Sequence, residues 1–492
     1  MGSIMREDWV ELAYKDVVDK ISTTKQKLKQ KEYLEEGQIA VVDQGQEEIG
    51  GYTNDDSRIL NCELPVIVFG DHTKIVKIIT FPFAPGADGT KVLQPKKLVD
   101  AKLLAYFTKI LAHKISDKGY ARHYQHIEKQ KIPIPPLPEQ RAIVAKIETL
   151  FSSLDSGIAD LKKAQAQLKI YRQAVLKKAF EGELTKEWRA KQSNLPTAEA
   201  LLAQIKEERQ NHYQQQLEVW KKGVKDWEEN GKVGKKPGKP KGLKDFEPLT
   251  KEELGKLISL PNEWIYIKQG ELLDEPKYGT SKKCDYKSKG LGVIRIPNIS
   301  NQRIDSKDLK FAEFTEEEKL VYELRKNDIL IIRSNGSVDL VGKCALINDS
   351  DTSFLFAGYL IRLRPFQKVA SSKFLISCLS SIDLRNQIES KAKSTSGVNN
   401  INSGELSSLI LPICSIQEQH QIVQEIESRL SVCDKVEESI IESLEKAQAL
   451  RQSILKKAFE GKLLDEQELA ACKAAPDYEP AGVLLERIRG EN

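Results

Sequence analysis

The chain has 492 residues, of which 40% are hydrophobic and 30% charged, enough for about three or four domains of ~100–200 residues with real cores and long solvated helices. A net charge of +4 excludes a uniformly basic coat, so any nucleic-acid surface must be local. Seven cysteines with no C-x-x-C pair argue for inert thiols in a reducing cytoplasm, and the absence of an apolar leader or an 18-residue apolar run argues against secretion and membrane spanning.

Residues 1–138 read as a strand-rich α+β unit. Val66-Ile-Val-Phe69 and Ile75-Val-Lys-Ile-Ile79 are β-branched runs split by the turn Gly70-Asp-His-Thr73. Phe83-Ala-Pro-Gly-Ala-Asp-Gly89 is a second turn cluster, and Leu98 to Ile115 reads as an amphipathic helix followed by the polar, aromatic loop Gly119–Tyr124. Ile132-Pro-Ile-Pro-Pro-Leu-Pro138 then sets up a helix start, with Glu139 suited to the positive end of the helix dipole. Apolar residues follow in steps of three and four from 143 to 175, so one helix is predicted over about 139–181 with Gly182 as its C-cap. A lone helix of that length cannot bury its stripe and needs a partner.

The partner is in the same chain. Arg172-Gln-Ala-Val-Leu-Lys-Lys-Ala-Phe-Glu-Gly-Glu-Leu184 recurs as Arg451-Gln-Ser-Ile-Leu-Lys-Lys-Ala-Phe-Glu-Gly-Lys-Leu463, with ten of thirteen positions identical at an offset of 279 residues. The offset holds without a gap back to Glu139-Gln140 and Glu418-Gln419, and 18 of the 46 positions over 139–184 match. One ancestral half has been used twice. The two long helices are expected to form an antiparallel coiled coil. A shorter helix follows each, from Pro196 and from Pro480, and Gly231–Gly242, rich in Gly, Pro and Lys, reads as a flexible linker.

Glu7-Asp-Trp9-Val and Asn262-Glu-Trp264-Ile open two variable units that otherwise share no convincing residue-level similarity, and the second is 24 residues longer. In the second, Leu291–Ile296 and Asp328–Ile332 read as buried strands and Lys373 to Ser390 as a helix. Gly279–Lys282, Arg333–Ser337 and Ser394–Asn400 read as polar loops. The expected organisation is a variable unit over 1–138, helices over 139–230, the linker over 231–259, a second variable unit over 260–414 and helices over 415–492.

Catalytic signatures are missing. There is no Asn/Asp-Pro-Pro-aromatic motif, no phosphate-binding G-x-x-x-x-G-K-[ST] and no G-x-S-x-G. His123 and His126 lack metal-ligand neighbours at helical spacing and read as a surface pair. What remains is recognition chemistry on loops. Arg333 suits a bidentate grip on guanine; Asn335, Asn399 and Asn400 suit adenine; Thr280, Ser281, Ser334 and Ser337 suit either base. Lys74, Arg122 and Lys282 suit phosphates, and His72, Thr73, Tyr120 and His123 complete the candidate set. Composition alone also describes these stretches as plain turns.

The layout resembles the specificity (S) subunit of Type I restriction–modification systems over essentially the whole chain. The carriers are Pro135-Pro-Leu-Pro-Glu-Gln140 with Ile143-Val144, the second copy Ile416-Gln-Glu-Gln419 with Ile422-Val423, and the repeated Leu-Lys-Lys-Ala-Phe-Glu-Gly. Leu195-Pro-Thr-Ala-Glu, Gly279-Thr-Ser-Lys282, Val293–Asn298 and Asp328–Ser337 add to them, as do Phe69–Thr73 and Gly86–Thr90. The second copy departs in having Cys414-Ser-Ile-Gln where the first has Pro135-Pro-Leu-Pro. The resemblance implies an α+β fold: two strand-rich target-recognition domains joined by two long-helix regions in an antiparallel coiled coil with an internal pseudo-two-fold. It implies a non-catalytic, cytoplasmic subunit, each domain reading one half of a bipartite double-stranded DNA site and the helices fixing the gap. Its implied partners are two copies of a modification (methyltransferase) subunit and a restriction/translocase subunit. No cofactor is expected on this chain; S-adenosylmethionine, ATP and Mg2+ belong to the partners. Leu176, Phe180, Leu455 and Phe459 are candidate partner contacts, although packing inside the scaffold explains them equally. The rival readings are a coiled-coil scaffold without nucleic-acid recognition and a fused nuclease or methyltransferase.

Overall fold

The computed structural model describes residues 6–86, 88–115, 122–392, 394–395 and 397–490. The chain forms two compact units, Met1–Ala164 with Ser439–Asn492, and Gln165–Glu438. The long helices run Leu137–Phe180 and Ile416–Phe459, 44 residues each. The first begins two residues ahead of the sequence expectation, with Pro138 inside its first turn, where a proline costs no intrahelical bond. Gly182 and Gly461 end the two helices with φ of +78° and +69°, the left-handed conformation that a C-capping glycine adopts without strain.

In the first unit the N-terminal part of the first long helix packs against the C-terminal part of the second. Ile143, Val144 and Ile147 share a buried cluster with Ile454, Leu455 and Ala458, and Arg451 pairs with Asp155 while lying 4.5 Å over the Phe151 ring. In the second unit the roles are exchanged. Val175, Leu176 and Phe180 pack with Ile422, Val423 and Ile426, and Arg172 pairs with Asp434 at 2.8 Å and Glu437 at 2.9 Å. As residue numbers rise on one helix they fall on the other, so the pairing is antiparallel in each unit. Arg172 and Arg451, and Asp155 and Asp434, are equivalent under the 279-residue repeat. The two ion pairs are therefore one contact made twice, once in each unit.

The variable units, which share little sequence, share a sheet plan. The first has a four-stranded antiparallel sheet in the order Val18–Ile21, Thr90–Pro95, Val66–Gly70, Val76–Ile79, and the second has Lys277–Tyr278, Leu360–Leu363, Ile329–Ile332, Cys344–Leu346. Each also has a three-stranded sheet containing one parallel pair, Ile39–Val42 with Phe83–Pro85 and Leu291–Ile294 with Leu355–Phe356. Each closes with a two-stranded ribbon, Val10–Ala13 with Lys131–Ile134 and Ile265–Lys268 with Ile410–Ile413. The duplication thus extends through the variable units. Sheet pairing needs only apolar, β-branched faces in register, which many sequences supply.

Each ribbon is bolted to its long helix by a buried tryptophan–glutamate pair. Trp9 Nε1 donates to Glu139 Oε2 at 2.9 Å and Trp264 Nε1 to Glu418 Oε2 at 3.0 Å. The neighbouring glutamines repeat the device. Gln140 accepts from the Asp100 amide and donates to the Leu98 and Pro135 carbonyls; Gln419 accepts from the Ser371 amide and donates to the Val369 and Cys414 carbonyls. Both glutamines are fully buried, so every polar atom they bring in finds a partner.

Three expectations are corrected. The helix predicted from Leu98 starts at Ala101, because Asp100 caps it by accepting from the Lys102 and Leu103 amides. The helix expected over Lys373–Ser390 is two, Ser372–Leu379 and Ile382–Lys391, parted at Ser380-Ser381. The Gly/Pro/Lys stretch is not a free tether: Trp220 Nε1 donates to the Pro237 carbonyl at 3.0 Å and Trp227 Nε1 to Gly234 at 3.1 Å, with Lys239 and Lys236 over the same two rings. Among the described residues no helix is long and apolar enough to cross a membrane.

Candidate nucleic-acid interface

In both units the residue that follows the inner strand of the four-stranded sheet occupies the same post. In the second unit Ile332 pairs with Leu360, so the next residue, Arg333, donates its amide to the Tyr359 carbonyl at 3.0 Å and accepts from the Ile401 amide at 2.8 Å. In the first, Gly70 pairs with Thr90, so Asp71 donates to the Gly89 carbonyl at 2.8 Å and accepts from the His123 amide at 2.9 Å. The backbone bonds match; the side chains are an arginine and an aspartate.

Around Arg333 the structure gathers several of the sequence candidates. Its Nε donates to Asn400 Oδ1 at 3.2 Å and its Nη1 to the Gly358 carbonyl at 3.4 Å, while Cζ lies 4.8 Å over the Tyr278 ring. Ser334 and Asn335 pair with Asn400 and Asn399 as short strands. The polar loops expected at 333–337 and 394–400 are thus partly a small three-stranded sheet of Ser334–Asn335, Val398–Asn400 and Ser394–Thr395. Strands of two or three polar residues leave no periodicity to detect. Asn335 Oδ1 accepts from the Ser337 amide, and Asn399 Nδ2 donates to the Gly336 carbonyl.

Thr280 and Lys282 are committed to the fold. Thr280 is buried and its Oγ1 accepts from the Lys282 amide. Lys282 Nζ reaches Glu318 Oε2 and the Glu313 carbonyl, both at 2.8 Å. Ser281 is exposed between them. Gly279 is needed here because a Cβ would stand 2.3 Å from the Ala357 carbonyl oxygen. Nearby, Tyr286 is 60% exposed and flanked by Lys310 at 5.1 Å and Arg295 at 5.8 Å, aromatic surface interleaved with cations of the kind that suits nucleic acid.

In the first unit the expected turn forms, with the Lys74 amide bonded to the Gly70 carbonyl and Lys74 at a φ of +60°. Gln44 holds it: its Oε1 accepts from the His72 amide, and its carbonyl accepts from Thr73 Oγ1. Asp71 is buried, accepts from the Tyr124 amide at 2.9 Å, and faces Lys91 Nζ at 3.4 Å. Burial also pushes the Tyr124 hydroxyl up to about 12. The surface histidine pair is corrected: His126 is exposed but His123 is 1% exposed, drawn in by its amide bond to Asp71. Arg122 is exposed, and Tyr120 lies outside the described residues.

The partner candidates are also corrected. Leu176, Phe180 and Leu455 are buried in the chain's own clusters and Phe459 is half-buried against Phe107 at 5.1 Å. Helical spacing puts the apolar residues of the repeated segment inward and leaves Lys177, Lys178, Lys456 and Lys457 exposed. Among the described residues no group of three or more His, Cys, Asp or Glu could hold a metal ion. Tyr278, Tyr359, Asp71, Lys91 and Gln44 were missed from the sequence. The one local signal was Tyr278 immediately before Gly279-Thr-Ser.

Comparison with known proteins places the chain in a family. The family model described as Type I restriction modification DNA specificity domain matches residues 6–163 and 261–446. The chain is 28% identical over 410 residues to the Type I restriction enzyme EcoKI specificity subunit of Escherichia coli (strain K12), covering 81% of this chain and 74% of that protein. It is 26% identical over 407 residues to the StySPI specificity subunit of Salmonella potsdam, covering 81% and 73%. In fold it matches a chain from a structure described as the basis of complex assembly and conformational transition of the type I R-M system, with a TM-score of 0.60 at 16% identity over 93% of this chain and 99% of that one.

Proposed function

This chain belongs to the Type I restriction modification DNA specificity family, and from that premise we propose that its two variable units each read one half of a bipartite DNA site. The chain is a DNA sequence-specificity subunit of a Type I restriction system. The observation that carries the two-headed reading is one sheet plan used twice with unlike side chains around the same post, a buried Asp71 beside the exposed Arg122 in one unit and the half-buried Arg333 in the other. A fixed framework with divergent readers suits two different half-sites. The two equal helices, each about 66 Å long at 1.5 Å per residue, set the unspecified gap, as half-site spacing follows scaffold geometry in other two-headed readers.

Base contacts in the second unit centre on Arg333, with Ser334, Asn335 and Asn399 beside it, Asn400 as its support and Ser281 at the margin. In the first unit His72, Thr73, Lys74 and Arg122 line the corresponding end, where phosphate contacts position and base contacts specify. The subunit is non-catalytic and works with two modification subunits that use S-adenosylmethionine, and with a restriction subunit driven by ATP and Mg2+. The exposed faces of the long helices carry the partner contacts.

Selection from a random duplex library, with the full chain as bait, tests this reading. Two short motifs at a fixed separation are expected, and Arg333→Ala should relax one base preference by about 1–3 kcal/mol. Lengthening both long helices by one matched turn should change the separation. Binding without any motif would return the chain to the coiled-coil scaffold reading.

A further inference from the structure

We propose that Tyr278 is a positioning residue for base reading: with Asn400, Gly358 and Ser403 it builds a clamp that presents the Arg333 guanidinium to a guanine. The inference rests on the DNA-reading function proposed above and names the device that gives one position its selectivity.

The geometry is that of a held fork. A guanidinium carries five N–H donors in a rigid plane. The protein uses two of Arg333's, Nε–H to Asn400 Oδ1 and one on Nη1 to the Gly358 carbonyl. The remaining three, two on Nη2 and one on Nη1, have no partner among the described residues. The plane is supported from one face by the Tyr278 ring, 4.8 Å from Cζ. That ring is itself fixed at its far end, because the Tyr278 hydroxyl donates to Ser403 Oγ at 3.2 Å and accepts from the Ser403 amide at 2.9 Å. Ser403 opens a short helix capped by Asn402, which accepts from the Gly404 and Glu405 amides.

Backbone constraints place the ring. Gly279 lets the backbone approach the Phe356 and Ala357 carbonyls without a Cβ, and the Thr280 amide donates to the Phe356 carbonyl while the Gly358 amide donates to the Thr280 carbonyl. Tyr278, next to Gly279, is thereby held beside Arg333, whose own backbone is fixed to Tyr359 and Ile401. The clamp is at the surface, with Tyr278 38% and Tyr359 64% exposed.

An arginine restrained to one plane loses less rotamer entropy on binding, and its planar fork matches the two acceptors guanine presents in the major groove, O6 and N7. Adenine, with an N–H donor where guanine has O6, cannot accept from both prongs. Asn400, read from the sequence as a base contact, becomes a support, because its carbonyl oxygen is spent on Arg333.

The experiment is library selection and competition binding with the full chain, comparing wild type, R333A, R333K, Y278A and Y278F. In the wild type one guanine should be specified in one of the two motifs, and R333A and R333K should both lose that preference. Y278A should reduce discrimination at the same base pair about 5- to 20-fold, leaving the other motif and the salt dependence unchanged. Y278F, which keeps the stacked ring, should retain at least half of the discrimination that Y278A loses. If Y278A weakens binding to all sequences equally, or if R333K still prefers guanine, the clamp is overturned while the bipartite reading stands. If the wild type selects no motif, the functional reading itself fails. Circular dichroism of each variant separates these outcomes from misfolding, and R333K, a small change at a half-buried side chain, keeps the proposal testable should Y278A not fold.

Discussion

The two units solve one anchoring problem with different completeness. Both bury a glutamate at the start of a long helix and bind it to a tryptophan. In the second unit Glu418 Oε1 also accepts from Thr185 Oγ1 at 2.7 Å and from Arg189 Nη1. In the first, Leu464 and Glu468 stand at the positions equivalent to Thr185 and Arg189 under the 279-residue repeat. There Glu468 pairs with Lys146, Glu139 Oε1 has no hydrogen-bond partner among the described residues, and Arg6 stands 3.5 Å from Oε2. A buried carboxylate with every lone pair engaged locks its surroundings, and one left half-engaged costs stability. The same repeat thus yields a tight anchor in one unit and a looser one in the other.

This contrast can be broken at its strongest point first. Glu418→Ala leaves the Arg189 guanidinium, the Trp264 N–H and the Thr185 hydroxyl without their acceptor, and should destabilise the second unit by about 3–5 kcal/mol. Glu139→Ala should cost the first unit about 1–3 kcal/mol, because fewer donors are orphaned. Hydrogen exchange of the ribbon amides, Ile265–Lys268 against Val10–Ala13, measures each unit separately; equal losses would show that the extra bonds to Glu418 contribute nothing.

The post sharpens the contrast. Asp71→Ala strands the buried Tyr124 amide and should destabilise the first unit by about 1–3 kcal/mol, whereas Arg333→Ala, at a half-buried side chain, should leave the stability of the second unit within about 0.5 kcal/mol. A thermal melt beside a binding selection reads both. If Arg333→Ala unfolds the second unit, the arginine is structural and the two posts are alike in role.

The paired ion contacts on the helices carry the smallest energy. Arg172→Ala and Arg451→Ala should each cost under about 1 kcal/mol, because the carboxylates they pair with, Asp434 and Asp155, are largely exposed. Thiol labelling gives a further check. Cys62 in the first unit and Cys284 in the second are half-buried, while the other five cysteines are buried. Two thiols, one per unit, should react in the native chain. Burial raises the thiol pKa of both, so less thiolate than in a free thiol is present at pH 8 and labelling should accelerate as pH rises. Cys344, pushed up to about 12, should react only after unfolding.

The repeated half, the two long helices with their glycine caps and the partnering of each helix by its copy were legible in the sequence. A 279-residue offset without gaps, apolar steps of three and four, and glycine at a left-handed position are signals carried by neighbouring residues. The strand runs around Val66 and Ile329 were legible for the same reason.

Only tertiary structure decided that the two variable units share a sheet plan, because a sheet is specified by which faces are apolar and not by which residues make them. It also decided which polar candidates converge. Arg333 and Asn400 are separated by 67 positions, Ser403 lies three residues beyond Asn400, and Tyr278 and Gly358 come from two other segments, so no local pattern could have joined them. The same long-range contacts turned His123 inward, tied Lys282 to Glu313 and Glu318, and buried Thr280, Leu176, Phe180 and Leu455. Hydrogen-bond and packing partners distant in sequence set those outcomes, and side-chain type and spacing carry no record of them.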